Sequence, residues 1–205
     1  MTKPDYELEK LAIFRGATSV VGVDEVGRGP LAGPVMAAAV ILDPDKIPDG
    51  LNDSKKLGVK RREALYEQIL DVADVGFGEA SVEEIDDINI LQASLLAMQR
   101  AVHDLKSPPD YALVDGKFIP KGLNIPAEGV VKGDAKSVSI SAASIVAKIR
   151  RDREMESLAQ QFPGYGWEKN AGYPSKSHIS ALQSLGVTPH HRKSFKPVHN
   201  ILCKA

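Results

Sequence analysis

An apolar, β-branched run at residues 18–24 closes on two adjacent carboxylates, Asp24 and Glu25, and runs at once into Gly27, Arg28, Gly29, Pro30, Gly33 and Pro34. The run reads as a buried strand and the glycines and prolines as the turn after it. A second apolar run, 35–42, supplies another strand, so the two are expected to pair as an antiparallel hairpin with a wide connection. Strands usually end in blander residues, and neighbouring negative charges repel unless a cation lies between them. Acidic ligands beside a positively charged, glycine-containing turn point to divalent metal and phosphodiester chemistry.

The rest of the chain alternates strands with helices. Residues 43–56 form a polar loop, about 58–70 a short basic helix, and 72–80 a candidate strand. Ser81 and Glu84 make a capping-box pair. Beyond them Ile85, Ile88, Leu91, Leu95, Met98, Val102 and Leu105 recur at helical spacing, with Asn89 placed to cap a second helix after a break. Short strands are expected at 111–114 and about 127–131, ending at Asp115-Gly116 and near Gly133-Asp134. A helix follows at about 141–161, then a glycine-rich irregular loop, a short helix at 178–185 and a basic, proline-containing tail. This is an α/β layout, a mixed sheet flanked by helices with a small helical C-terminal extension over about 162–205. Nothing repeats along residues 1–205, so a single domain is expected.

Composition narrows the function. The 205 residues are 43% hydrophobic and carry a net charge of −1, which excludes a uniformly basic nucleic-acid coat but allows local patches. Three basic clusters stand out: Lys55, Lys56, Lys60, Arg61 and Arg62; Lys148, Arg150, Arg151 and Arg153; and His190, His191, Arg192, Lys193 and Lys196. Each alone reads as a solvated helix face or loop. Cys203 is the only cysteine, so neither an internal disulfide nor a cysteine zinc site is available. No segment has the length or apolarity of a membrane span or signal peptide, and the expected compartment is the cytoplasm.

Asp24, Asp115 and Asp134 each stand at or just beyond the end of an expected strand. Parallel strands joined by right-handed crossovers bring such ends to one edge of the sheet, where open α/β sheets bind ligands. With Glu25 adjacent, the cluster calls for hard cations with oxygen ligands, Mg²⁺ or Mn²⁺. Two such ions about 4 Å apart serve in-line phosphoryl displacement without a side-chain nucleophile. None is evident here, and the Gly-x-Ser-x-Gly elbow is absent.

At these residues the chain resembles the ribonuclease HII family. The likeness runs from Val23-Asp24-Glu25-Val26-Gly27-Arg28-Gly29-Pro30 through Leu51-Asn52-Asp53-Ser54-Lys55-Lys56-Leu57, Val114-Asp115-Gly116 and Val131-Lys132-Gly133-Asp134. It continues in Ile140-Ser141-Ala142-Ala143-Ser144-Ile145 and Gly172-Tyr173-Pro174. The resemblance implies a ribonuclease H-like fold. It also implies metal-dependent cutting of the RNA strand of RNA–DNA hybrids and nicking 5′ of single ribonucleotides in duplex DNA, leaving 3′-hydroxyl and 5′-phosphate ends, in ribonucleotide excision repair. Asp24, Glu25, Asp115 and Asp134 would be catalytic, the first three as metal ligands. Gly27, Arg28 and Gly29 would read the ribose 2′-hydroxyl, Lys55 and Lys56 would touch phosphates, and Tyr173 would press on the sugar after the ribonucleotide. The partners implied are hybrid and ribonucleotide-containing duplexes, bound by a monomer; no protein partner is predictable. The short N-terminal segment argues against ribonuclease HIII, which carries an extra N-terminal domain.

Other conspicuous residues read as structure. His190 and His191 are expected in a basic surface loop, Trp167 and Phe162 as packing anchors, and the 85–105 stripe as core.

Overall fold

Alternation along two strands sets the architecture, seen in a computed structural model that describes residues 3–203. In β1 (Val20–Val26) and β2 (Val35–Ile41), nearly every residue is buried, because the sheet is covered on both faces. With β3 (Asp74–Ala80), β4 (Tyr111–Asp115) and β5 (Ala127–Val130) they form a five-stranded sheet ordered β3-β2-β1-β4-β5. β1 and β2 pair antiparallel, as the hairpin reading expects, and so do β2 and β3; β1–β4 and β4–β5 are parallel.

Val21, Val23, Val35, Ala37 and Ala39 meet α3 (Val82–His103) on one face. Ala38 and Val40 meet α2 (Val59–Val72) and α4 (Val138–Gln161) on the other. Asn89 lies at the expected break, with φ 67° and its side chain accepting from the Leu91 amide at 3.0 Å. Gly22 matters most for the site. A Cβ there would collide with the backbone of Ser139 and Ile140, so its absence lets the first turn of α4 lie directly on β1. Glu9 of α1 (Glu7–Phe14) fastens that turn, accepting from the Ser137 hydroxyl at 2.5 Å and the Ser139 amide at 3.0 Å. A carboxylate suits the positive end of a helix.

Beyond α4, α5 (Trp167–Asn170), α6 (Lys176–Leu185) and α7 (Lys196–Leu202) pack with Leu31, Ala32, Met155 and Leu158 around Trp167 and Leu182. Phe162 and Trp167 are packing residues, their rings 6.1 Å apart. Several expectations need correction. The tail is helical, since Pro197 sits in the first turn of α7, where a missing N–H costs nothing. α4 begins at Val138, not near 141, because the Ser137 side chain caps it by accepting from the Ile140 amide. The second and third basic clusters are not wholly solvated: Arg151, His191 and Arg192 are fully buried.

The buried histidines form one network. The Thr188 amide donates to His191 Nδ1 at 3.0 Å, so His191 carries its proton on Nε2 and donates it to His178 Nε2 at 3.1 Å. That nitrogen also accepts from Trp167 Nε1–H at 3.0 Å, while His178 Nδ1–H donates to the Tyr173 carbonyl at 2.9 Å. Both rings are therefore neutral. Burial, then the neighbouring His178 and His190, pushes His191 down to about 4. An unfolded histidine titrates near 6.5, so between these values the unfolded chain binds the extra proton and acid favours unfolding. The stability advantage of wild type over His191→Gln is accordingly expected to be full above about pH 6.5 and to shrink as pH falls towards 5, as read from urea denaturation at each pH.

Candidate active site

β1 and β4 run side by side and end together. Val23 pairs with Val114, so the next residues of the two strands, Asp24 and Asp115, come level at the sheet's end. One carboxylate oxygen from each of Asp24, Glu25 and Asp115 lies within 4.8 Å of the other two. Asp134 joins the same cleft from a 3-10 turn, Gly133–Ala135, that follows β5, and Ser54, Lys55, Ser144, Lys148 and Tyr173 complete the walls. Strand-end residues remote in sequence therefore do converge.

Local hydrogen bonds fix two of the carboxylates. Asp24 accepts from the Glu25 amide at 2.8 Å, and beside it in the cleft stands Ser144, whose hydroxyl oxygen lies 3.0 Å from that of buried Ser54. Asp115 accepts from the Gly133 amide at 2.6 Å, a bond made possible by the left-handed Lys132 (φ 58°) just before it. Arg28 reaches Glu25 at 3.4 Å.

The electrostatics follow from burial and crowding. Asp24 is held well above the usual carboxylate range by burial, then by the charges of Glu25 and Asp115, with the Ser144 hydrogen bond opposing. Glu25 is raised by burial, with Arg28 pulling the other way. Asp134 is raised by burial and by Asp53 and Asp115, against Lys55. An all-oxygen set of crowded, partly desolvated carboxylates fits a hard divalent cation, which would relieve the repulsion. Asp24, Glu25 and Asp115 are the residues that could hold it.

The other expected residues fall unevenly. Lys55 and Tyr173 line the cleft. Lys56 lies 3.8 Å from Asp53. Gly29 faces the site: a Cβ there would sit 3.3 Å from the Tyr173 ring. Gly27 has φ 93°, and its missing Cβ makes room for the Arg151 guanidinium rather than for a ligand. Ser54, Ser144 and Lys148 have site positions that sequence reasoning did not assign. The two serines stood inside motif segments, but only the packing of α4 on Gly22 reveals what they face.

The mixed sheet with its flanking helices is shared with solved structures. Ribonuclease H2 from Pyrococcus horikoshii OT3 is similar at a TM-score of 0.75 and 29% identity, over 91% of this chain and 98% of that one. A Bst-RNase HIII solved in complex with Mn²⁺ gives 0.70 at 20% identity, over 93% and 71%, a likeness of fold alone. Fold and family likeness define a ribonuclease H, a hydrolase acting endonucleolytically on RNA–DNA hybrids. A family model described as Ribonuclease HII matches residues 21–198, and the ribonuclease HII of Ruegeria pomeroyi is 66% identical over 202 residues, 98% of this chain and 86% of that protein. The chain belongs to the ribonuclease HII family, whose members depend on divalent metal.

The crowding has a measurable cost. In EDTA, Asp24→Asn is expected to raise the free energy of unfolding by about 1–2 kcal/mol, by removing a desolvated like charge. Urea denaturation with added Mn²⁺ should shrink or reverse that gain, because the ion stabilises only the protein that binds it.

Proposed function

We propose that this chain nicks duplex DNA on the 5′ side of an embedded ribonucleotide and cuts the RNA strand of hybrids, leaving 3′-hydroxyl and 5′-phosphate ends. The observation that carries the reading is the meeting of Asp24, Glu25 and Asp115 oxygens within 4.8 Å, in a cleft whose wall includes Tyr173. Asp24, Glu25 and Asp115 would hold Mg²⁺ or Mn²⁺, with Asp134 beside them. When bound, such an ion polarises the scissile phosphate and makes water a competent nucleophile at neutral pH.

The chain's own groups do the rest. The Glu25 amide aims Asp24, and the Gly133 amide aims Asp115. Lys55 and Lys148 bring positive charge to a wall that would otherwise repel a phosphate. With Lys56, they hold the duplex by its backbone, which positions it without reading sequence. Only the 2′-hydroxyl separates a ribonucleotide from a deoxyribonucleotide, and the Gly27-Arg28-Gly29 turn reads it through its backbone. The half-exposed Tyr173 ring, packed over Gly29, presses on the following sugar and senses the RNA-to-DNA junction. The protein works as a monomeric single domain in the cytoplasm, removing ribonucleotides from DNA. Among the described residues, no helix is long and apolar enough to cross a membrane.

The test is cleavage of a duplex carrying one ribonucleotide, titrated with Mg²⁺ and Mn²⁺, with product ends identified. Asp24→Asn should lower turnover on the order of 10³-fold or more while hybrid binding persists, a loss typical of removing preorganised charge. Retained turnover would remove the metal role. Tyr173→Ala should lose about tenfold more at an isolated ribonucleotide than within an RNA tract, a difference of about 1.4 kcal/mol. Equal losses on the two substrates would rule out junction sensing.

A further inference from the structure

Two arginines are fully buried, and among the described residues neither has a carboxylate within ion-pair distance. Arg192 donates from Nε to the Gly33 carbonyl at 2.9 Å, from Nη1 to Arg28 at 3.1 Å, and from Nη2 to Gly27 at 2.6 Å and Pro34 at 3.1 Å. Arg151 donates to the carbonyls of Pro34 at 3.2 Å, Ala32 at 3.2 Å and Ala171 at 3.0 Å. Burial lowers both, to about 10 for Arg151 and about 9 for Arg192, so both are charged at neutral pH. A buried, unpaired guanidinium is costly unless its donors are all satisfied. Here every hydrogen bond that the two guanidiniums make goes to one stretch, residues 27–34, or to the loop that carries Tyr173.

The bonds dictate where the turn's amides point. All peptide bonds here are trans, so the C=O of one residue and the N–H of the next point in opposite directions. Drawing the Gly27 and Arg28 carbonyls onto Arg192 therefore turns the N–H groups of Arg28 and Gly29 away from it. Among the described residues, neither amide makes a hydrogen bond within the protein. Arg151 supplies the second constraint: its guanidinium occupies the space that a Cβ on Gly27 would need, and its bond to Ala171 ties the turn to the Tyr173 loop. That seam is completed by the Leu31 amide donating to the Gly172 carbonyl at 2.7 Å.

We propose that Arg151 and Arg192 are positioning residues for ribonucleotide discrimination, holding the Gly27-Arg28-Gly29 turn so that the Arg28 and Gly29 amides face the ribose. The inference rests on the reading that this turn recognises the 2′-hydroxyl. Neither arginine touches substrate; both act through the backbone. A lysine keeps the charge but has a single nitrogen with three donors, and it cannot span the four carbonyls that Arg192 gathers.

The experiment compares binding of two duplexes of one sequence, one with a single ribonucleotide and one all-DNA, in an Asp24→Asn background with Mg²⁺ so that binding is measured without cleavage. The parent should prefer the ribonucleotide duplex. Adding Arg192→Lys or Arg151→Lys should reduce that preference about tenfold or more, as a displaced recognition group does, with affinity for the all-DNA duplex little changed, while melting falls because buried carbonyls lose their donors. A purely structural role would weaken both duplexes alike. Folded lysine variants that keep the preference would overturn the inference while leaving the turn's role intact. A parent without any preference would sink the turn's role, and the inference with it. If both lysine variants fail to fold, the pair belongs to the folding core and the inference is overturned.

Discussion

A charge confined where water is scarce is the constraint around which this molecule is built. Asp24 is buried beneath α4 with two further carboxylates close by, an arrangement that costs stability in isolation. The surrounding sequence is arranged to tolerate it. Gly22 lets α4 lie on β1, and that contact brings Ser144 within reach of Asp24. Ser54 steadies Ser144 in turn, and Arg62 holds the loop carrying Ser54 by donating to the carbonyls of Ser54 and Leu57. Much of the fold on this face is thus a support for one side chain whose charge a cation would balance.

The strands and their acidic ends were legible because both signals are local. Apolar runs bounded by glycine and proline mark strands, and a carboxylate pair closing such a run has few structural reasons to be there. Asp24, Glu25 and Asp115 therefore surfaced directly, and they do meet. Asp134 was harder to place. It stands just beyond β5 in a 3-10 turn, whose geometry depends on the left-handed Lys132. α1 and α7 escaped notice because they are short, and because Pro197 disguises a helix start as a break.

The buried arginines and histidines show a different limit. Arg151 and Arg192 stood among other basic residues, and nothing local separates them from their solvated neighbours. Their burial is decided by carbonyls of an irregular stretch that no ladder satisfies, far away along the chain. His191 was read as part of a surface loop for the same reason, since besides nearby Thr188 its ring meets His178 of α6 and Trp167 of α5. Charge patterning reports what a side chain carries; which backbone groups need a donor is settled only by tertiary structure.

The bond from Arg192 to Gly27 joins residues 165 positions apart along the chain. During synthesis the β1–β2 hairpin leaves the ribosome long before its clamp is made, so the turn stays unfastened until residue 192 has been translated. A polypeptide released early, short of residue 192, would carry all four acidic residues yet lack the brace for the loop beside them. Such a fragment would hold acidic groups able to attract metal without the fastening that Arg192 gives the neighbouring turn.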